Sequence, residues 1–191
     1  MSSGFYVDLD HCIGCRTCQV ACKDRRDIQT PGARLRRVDT YETGTYPDAS
    51  MYHVVMSCNH CDDPACVRNC PTGSMFKAAD GTVQHDDDKC IVCRMCTMAC
   101  PYHAPQYVEE ENNIEKCDTC RTLREHGENP VCVDACPMRA IEYGDMDDLK
   151  KEHPEATSDI PAIPSSSITK PNLLIKAHKA ATNGDHTQVA L

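Results

Sequence analysis

The stretch that decides the fold is CIVCRMCTMACP, Cys90–Pro101. Its cysteines have the spacing CxxCxxCxxxCP, which is typical of a run that binds a 4Fe-4S cluster. A loop with a thiolate at every third residue can curl around a cubane and reach three of its corners. Cys100 lies further along and is available to a different cluster, while Pro101 turns the chain away. The spacing therefore predicts that such runs work in pairs.

The same arrangement recurs four times along the chain. Group one has the spacing of group three without the final proline. Groups two and four keep CxxC at the front and CxxxCP at the back, with an expanded middle. Loops tolerate such insertions because the entropy of loop closure grows slowly with length. In order, the groups are Cys12, Cys15, Cys18 and Cys22; Cys58, Cys61, Cys66 and Cys70; Cys90, Cys93, Cys96 and Cys100; and Cys117, Cys120, Cys132 and Cys136.

Disulfides and zinc are the alternative uses of so many cysteines. Cysteines this crowded cannot all reach bridging geometry, and disulfides give no reason for groups of identical spacing. Tetrahedral zinc requires neither the third Cys of each run nor the repeated CxxxCP ending. The sequence also lacks CxxCH, GxGxxG and GxxxxGKS, so it indicates no c-type haem and no nucleotide site. Iron-sulfur clusters remain, with a zinc scaffold as the alternative.

The composition favours clusters over a large apolar core. Hydrophobic residues make up 40% of the 191 residues, with two Phe and no Trp. Because metal binding and folding are linked, the chain without clusters is expected to be largely unfolded. A net charge of −9 argues against nucleic acid as a partner. The basic group Arg25, Arg26, Arg34, Arg36 and Arg37 is diluted by aspartates, so it is interpreted as a solvated or docking surface.

The sequence predicts neither an export signal nor a membrane span. Residues 1–10, MSSGFYVDLD, have no basic start and no apolar run of signal-peptide length. No stretch approaches the roughly 20 apolar residues that a membrane-spanning helix needs. The chain is therefore expected to be a soluble polypeptide.

The segments between the cysteine groups predict an α+β fold. Between groups two and three, a hairpin is expected with Asp80-Gly81 at its turn. The other expected elements are strands at Phe5–Leu9, Arg34–Thr40 and Tyr52–Ser57, a helix at Cys22–Ile28, and hairpin strands at Ser74–Phe76 and Thr82–His85.

Groups two and three are predicted to form one ferredoxin-like unit around this hairpin, which leaves groups one and four to pair by elimination. The expected architecture is two nested bacterial-ferredoxin-like modules, with two 4Fe-4S clusters each, and an extended C-terminal arm. The first module is assigned to residues 1–50 and 105–149, the inserted second module to 51–104, and the arm to 150–191. In the arm, a Pro- and Ser-rich linker leads to ITKPNLLI (168–175), which either docks on a partner or forms an edge strand on this protein. The tail Ala180–Leu191 is expected to be mobile.

Four short sequence segments around the cysteines are similar to those of a known family. They are SCNHCDDPAC (57–66), CRMCTMACPYHAPQY (93–107), CPMRAIEYG (136–144) and TKPNLLIK (169–176). Because of these segments and the cysteine spacing, the chain resembles, over nearly its full length, the four-cluster electron-transfer subunit of the dimethyl sulfoxide reductase type of complex iron-sulfur molybdoenzyme. Related subunits that serve polysulfide, thiosulfate, nitrate and formate share the cysteine plan.

The resemblance implies an electron-transfer subunit that is not an enzyme by itself. Its partners would be a molybdopterin-containing catalytic subunit and a membrane anchor that oxidises menaquinol. Membrane association would be through these partners, on the extracytoplasmic face after co-export with the catalytic subunit, or alternatively on the cytoplasmic face. The other functions considered are a free-standing polyferredoxin and a subunit of a polysulfide or thiosulfate reductase or an aromatic dehydroxylase.

The resemblance also implies how the sixteen cysteines divide among four cubane clusters. Each cluster takes three cysteines of one group and the last cysteine of the paired group. Cys93 stands where nitrate-reducing relatives have Trp, so no cluster is expected to lose an iron. The implied sets are Cys12, Cys15, Cys18 and Cys136; Cys117, Cys120, Cys132 and Cys22; Cys58, Cys61, Cys66 and Cys100; and Cys90, Cys93, Cys96 and Cys70.

A few residues near the cysteines depart from the family pattern or are charged. Val92 stands where CxGC usually has Gly, and His103 where Gly often follows Pro-Tyr. Each could tune one cluster or reflect drift on a tolerant loop. Arg16 and Arg94 could raise a nearby potential or form surface ion pairs. His60 is not expected to be a ligand, because four cysteines already satisfy each cluster.

Overall fold

The computed structural model describes residues 2–189. Over this range the chain forms ten short β-strands and six short α-helices, and the predicted α+β class is confirmed. The strands are β1 (Ser3–Asp8), β2 (Arg37–Thr43), β3 (Ser50–Met56), β4 (Met75–Lys77), β5 (Val83–His85), β6 (Gln106–Val108), β7 (Asn113–Glu115), β8 (Ile141–Asp145), β9 (Leu173–Lys176) and β10 (Thr187–Val189). The helices are α1 (Thr17–Arg25), α2 (Ala65–Arg68), α3 (Met95–Ala99), α4 (Arg121–Glu125), α5 (Val131–Asp134) and α6 (Met146–Glu152), with 3₁₀ turns at Asp87–Lys89, Ser166–Ile168 and Lys179–Thr182.

The first sheet brings both ends of the chain together around β1. Strand β8 pairs antiparallel with β1, and β9 pairs parallel on its other side. The strand ends at Asp8, whose carboxylate accepts hydrogen bonds from the backbone N–H of Asp10 (2.8 Å) and His11 (3.1 Å). This turn aims the chain into the first cysteine loop. The strand predicted at Phe5–Leu9 is therefore present, displaced toward the N-terminus.

The second sheet consists of the hairpin β2–β3 and the short strand β10. Its hairpin pairs Arg37–Thr43 with Ser50–Met56 along their full length. The predicted module boundary at residue 51 falls inside β3. The whole of β3 pairs with β2, which the prediction assigned to the first module. Where the composition predicts a mobile tail, Thr187–Val189 pairs with β2, because the outer edge of β2 offers unpaired backbone groups. Residues 190 and 191 lie outside the described part of the chain.

Two small hairpins flank the second and third cysteine groups. The hairpin β4–β5 has Asp80-Gly81 at its turn, as predicted. Gly81 adopts φ +80°, and the Asp80 carboxylate accepts a hydrogen bond from the backbone N–H of Thr82 (3.0 Å). The second hairpin, β6–β7, links the modules. Its Val108 packs with a cluster around Cys22, and its Ile114 packs with one around Cys66.

The helices pack in two pairs. Helix α1 packs on α5, and α2 packs on α3. Helix α1 begins five residues before the predicted Cys22–Ile28, because the left-handed Arg16 (φ +62°) ends the cysteine loop and starts the helix at Thr17. The pairs place cysteines of groups one and four on facing helices, and likewise those of groups two and three.

The arm after α6 contacts both modules. In its predicted linker, Ile160 is buried. The backbone N–H of Asp62 donates to the carbonyl of Lys170 (2.8 Å), and that of Asn172 donates to the carbonyl of Asn59 (2.9 Å). Strand β9 then lies on β1, so of the two alternatives for ITKPNLLI the structure has the edge strand.

The main core lies between β1 and the β2–β3 hairpin and includes many of the cysteines. Val7 and Val54 are almost fully buried in it, together with thiols such as Cys58 and Cys117. A core in which cysteines replace aliphatic side chains fits the modest hydrophobic content. Within residues 2–189, no helix combines the length and the apolar character needed to cross a lipid bilayer.

Candidate iron-sulfur cluster sites

The four CxxC loops share one backbone feature. In each loop the residue before the second Cys has a left-handed conformation, which favours glycine and is unusual for a β-branched residue such as Val92 or Thr119. Successive backbone N–H groups around such a residue form a concavity that favours anions. The four residues are Gly14 (φ +69°), His60 (φ +45°), Val92 (φ +55°) and Thr119 (φ +62°).

Backbone N–H groups in these loops point at cysteine sulfurs. The N–H of Val92 donates to Sγ of Cys90, and that of Thr119 donates to Sγ of Cys117, each at 3.4 Å. After the CP endings, the N–H of Ala140 donates to Sγ of Cys136 (3.4 Å). Such N–H···S bonds stabilise thiolates and help to set cluster potentials. The loops therefore suit a cofactor held through sulfur.

The first set of thiols joins group one to the end of group four. Burial raises the pKa of Cys12, and the Cys136 and Cys15 thiols raise it further. Burial also raises the pKa of Cys18 to about 11, with Cys132 and Cys136 adding to the rise. Cys15 is exposed. The structure brings together Cys12, Cys15, Cys18 and Cys136, and Cys132 of a second set lies near Cys18.

The second set joins the end of group one to the front of group four. Burial raises the pKa of Cys22 to about 12, and the thiols of Cys132 and Cys120 add to the rise. Burial raises the pKa of Cys117 beyond its ordinary range, with Cys22 as the next contributor. Helix α1 supplies Cys22 and the facing helix α5 supplies Cys132.

The third set, Cys58, Cys61, Cys66 and Cys100, lines one cavity. The pKa of Cys61 and that of Cys66 are each raised to about 12, mainly by burial and in part by the thiols of Cys58 and Cys100. Thr169, from the arm, also lines the cavity. The arm therefore closes this site.

The fourth set lies at the far side of the inserted module. The pKa of Cys96 is raised to about 11, mainly by burial and in part by the thiols of Cys90 and Cys70. The backbone N–H of Met75 donates to Sγ of Cys70 (3.4 Å). Cys93 is exposed on the loop that begins at Cys90.

The four sets follow one another in a row. Cys18 of the first set interacts with Cys132 of the second, and Cys117 of the second interacts with Cys58 of the third. Helix α2 and the turn after it carry Cys66 of the third set and Cys70 of the fourth. The most exposed cysteines stand at the two ends of the row, Cys15 and Cys93.

No disulfide joins any of the sixteen cysteines, all of which lie within the described residues. The burial that raises the pKa of the inner thiols opposes free thiolates at neutral pH. Iron binding replaces those protons, which couples assembly of the metal centres to proton release. The donor chemistry of these sites, sulfur ligands with N–H···S bonds in buried loops, fits 4Fe-4S clusters.

The residues that depart from the family pattern occupy left-handed positions. Val92 and His103 adopt φ +55° and +51° at positions where glycine avoids strain. His60 is fully buried, and its Nδ1 accepts a hydrogen bond from the backbone N–H of Val83 (3.0 Å). Burial lowers the pKa of His60 well below its usual value, so the ring stays neutral. His60 thus braces the inserted hairpin.

The burial of two cationic side chains was not predicted from the sequence. Arg36 was grouped with a solvated surface, which is wrong, since its exposed fraction is 1%. Lys116 is also buried, and its Nζ donates to the carbonyls of Cys117 (2.8 Å) and Val83. The one signal for Arg36 is its position between the apolar residues Leu35 and Val38, and the signal for Lys116 is its place beside Cys117.

Comparison with known proteins gives two family matches. Residues 49–146 match the 4Fe-4S dicluster domain, and residues 3–24 match a 4Fe-4S binding domain. Together these matches cover all four cysteine groups. The sixteen cysteines and the matched domains fit four 4Fe-4S clusters.

Individual relatives match over most of their length. One of the chains of anaerobic dimethyl sulfoxide reductase from Escherichia coli is 42% identical over 96% of this protein and 93% of its own length. Its counterpart of the same name from Haemophilus influenzae is 43% identical over 95% and 93%. One of the subunits of sulfite dehydrogenase from Allochromatium vinosum is 37% identical over 76% of this protein and 70% of its own length.

Proposed function

Because this protein belongs to the family of 4Fe-4S iron-sulfur subunits that includes the matching polypeptide of anaerobic dimethyl sulfoxide reductase, we propose that it relays electrons between two partner subunits. Electrons enter from a membrane anchor that oxidises menaquinol and leave to a molybdopterin catalytic subunit of an anaerobic respiratory reductase. The chain makes and breaks no substrate bond itself. The observation that carries the proposal is the row of four thiol sets with an exposed cysteine at each end.

We assign each set of neighbouring thiols to one cluster. The neighbours of Cys18, Cys22, Cys66 and Cys96 support this assignment, since each interacts with thiols of the paired group. The sets are Cys12, Cys15, Cys18 and Cys136; Cys22, Cys117, Cys120 and Cys132; Cys58, Cys61, Cys66 and Cys100; and Cys70, Cys90, Cys93 and Cys96.

The chain's own contribution is to hold, space and insulate. A 4Fe-4S cluster supplies one-electron chemistry when it is bound. The thiols fix its position, the N–H···S bonds and nearby charges set its potential, and burial excludes water from the middle of the row. The packing of α1 on α5 and of α2 on α3 keeps the two sites of each module adjacent. This division also supports the nested modules, with the outer module extended to include β3.

Exposed apolar side chains favour partners at both ends over a free-standing polyferredoxin. Exposed Ile13 lies two residues before Cys15 and exposed Val20 on the helix that follows it, and exposed Ile91 and Met95 lie on either side of Cys93 in the chain. Exposed apolar groups beside an end of the row are suited to cover by another protein. Through these partners the protein would lie at the membrane, and we propose the extracytoplasmic face, as the family resemblance implies.

The test uses membranes that contain the protein with its anchor and catalytic subunits. A menaquinol analogue should reduce the clusters, and dimethyl sulfoxide or trimethylamine N-oxide should reoxidise them. Iron and labile sulfide should each be present at four atoms for every four cysteines. Reduction without reoxidation by either acceptor, together with reoxidation by polysulfide, would assign the protein to a polysulfide reductase. Clusters that the quinol analogue cannot reduce would contradict the relay.

A further inference from the structure

Arg36 is a buried arginine at the centre of the outer module. Its exposed fraction is 1%, although it directly precedes β2 in a basic stretch. The guanidinium carbon lies 4.3 Å from the centroid of the Phe5 ring, on strand β1. Phe5 therefore covers one side of the charge. Long basic side chains usually keep their heads in water, so an arginine buried with its charge requires a partner.

The partner is not a carboxylate. Among residues 2–189, Nε and Nη2 of Arg36 have no hydrogen-bond partner. Two nearby arginines behave differently. Arg26 pairs with Asp118 (2.8 Å) and Arg37 pairs with Asp39 (2.7 Å). A buried charge without an opposite charge is costly, so the position of Arg36 indicates an anion that the protein side chains do not supply.

The groups that act on Arg36 are thiols of two different cluster sites. Cys18 belongs to the first site, whereas Cys22, Cys117 and Cys132 belong to the second. Arg36 in turn opposes the effect of burial on the pKa of Cys18, Cys22 and Cys117, because its charge favours their thiolate forms. The charge of Arg36 therefore acts on thiols of both sites of the outer module.

We infer that Arg36 is the internal counter-ion of the two clusters in the outer module and raises the reduction potential of both. This inference rests on the proposed function, since it requires clusters at both sites. Each one-electron reduction adds one negative charge to a site, and no bond forms or breaks at Arg36. A fixed positive charge in a water-excluded interior favours the reduced form. The inserted module lies beyond the second site, so its two potentials depend little on Arg36.

The test is a redox titration of the assembled complex, followed by paramagnetic resonance, for four proteins. They are the wild type, Arg36→Met, Arg36→Lys and the control Arg34→Met, which removes an equal charge from an exposed position. Arg36→Met should lower the equilibrium constant for reduction of two of the four clusters by about tenfold or more. Each tenfold change lowers the reduction potential of a one-electron couple by about 59 mV. Arg36→Lys should recover most of this change, and Arg34→Met should leave all four potentials unchanged.

Several results would overturn the inference. Full iron content in Arg36→Met with four unchanged potentials would show that the charge is not felt by the clusters. An equal shift of all four would show a general effect. If Arg36→Met fails to assemble, Arg36→Lys decides the question, because normal iron content and potentials support a role for charge, whereas loss of clusters shows a role for shape alone. A wild type without four clusters would overturn the proposed function as well, so the two failures are distinguishable.

Discussion

The cysteine loops at residues 12–18 and 90–96 have the same spacing and the same backbone, but different surroundings. Gly14 and Val92 occupy the same left-handed position, at φ +69° and +55°. A Cβ placed on Gly14 would lie 2.5 Å from Cε1 of the His53 ring. Val92 carries a full side chain at the half-buried surface. One loop therefore requires glycine because of a neighbouring ring, and the other accepts valine at some cost in backbone strain.

The difference shows that the loop geometry is local, whereas its support comes from distant elements. His53 lies on β3, and its Nδ1 is 3.0 Å from Oγ1 of Thr40 on β2, which fixes the ring against the first loop. The second loop has instead Arg94 stacked over the Tyr107 ring, 3.6 Å from its centroid. The first loop is braced by a sheet, and the second by the contact of exposed Arg94 with half-buried Tyr107.

The largest effect is expected from removing the last cysteine of a run. This cysteine is expected to bind the cluster of the paired run and not the cluster of its own run. Cys22→Ser should abolish the cluster of Cys117, Cys120 and Cys132 and spare that of Cys12. Paramagnetic resonance of the reduced complex measures this loss. The control Cys120→Ser should remove the same signal, and Cys15→Ser a different one. Loss of the same signal in Cys22→Ser and Cys15→Ser would contradict the exchange of ligands between runs.

The next effect is expected at Gly14. Gly14→Ala should destabilise the holoprotein by about 2–4 kcal/mol, because left-handed strain adds to a clash with the ring. Anaerobic denaturant titration, followed by loss of cluster absorbance, measures the change. The double variant with His53→Ala should regain about half of the loss, since the ring is gone and the strain remains. An equal loss in the single and double variants would remove His53 from the explanation.

Much of the fold could be predicted from the cysteine spacing and from one turn. The spacing gave the four runs and their pairing as hypotheses, and Asp80-Gly81 identified the β4–β5 hairpin because few other dipeptides suit that turn. The predicted start of helix α1 was wrong by five residues, since nothing in the segment CRTC (15–18) indicates that Arg16 adopts a left-handed conformation.

The remaining features depend on tertiary contacts. Arg36 looks like its exposed neighbour Arg34, and only the tertiary structure, with the Phe5 ring against its guanidinium, makes it internal. Strand β10 depends on a free edge of β2, which the composition of the tail does not reveal. The need for glycine at position 14 follows from a ring that lies 39 residues away along the chain.

A smaller effect is expected at the matching position of the second loop. Val92→Gly should stabilise the holoprotein by up to about 1 kcal/mol, because relief of left-handed strain exceeds the added chain entropy. The same denaturant titration measures it. Val92→Ala keeps a Cβ and should change stability less than glycine does. Destabilisation by glycine would show that the valine side chain makes a contact that outweighs the strain.

The smallest effect is expected at the contact between Arg94 and Tyr107, which braces the second loop. Arg94→Gln should destabilise by about 0.5–1 kcal/mol through loss of the cation–π contact with Tyr107. Tyr107→Phe keeps the ring face and should cost less. A loss as large as that of Gly14→Ala would erase the contrast between a sheet-braced and a surface-braced loop.

Anomalous diffraction at the iron edge from crystals of the assembled complex tests the central claim most directly. We expect four iron centres in a row, each bounded by three cysteines of one group and the last cysteine of its paired group. The row should run from Cys15 at one end to Cys93 at the other. Four centres each enclosed by a single group, or an order in which the outer and inserted modules alternate, would contradict it.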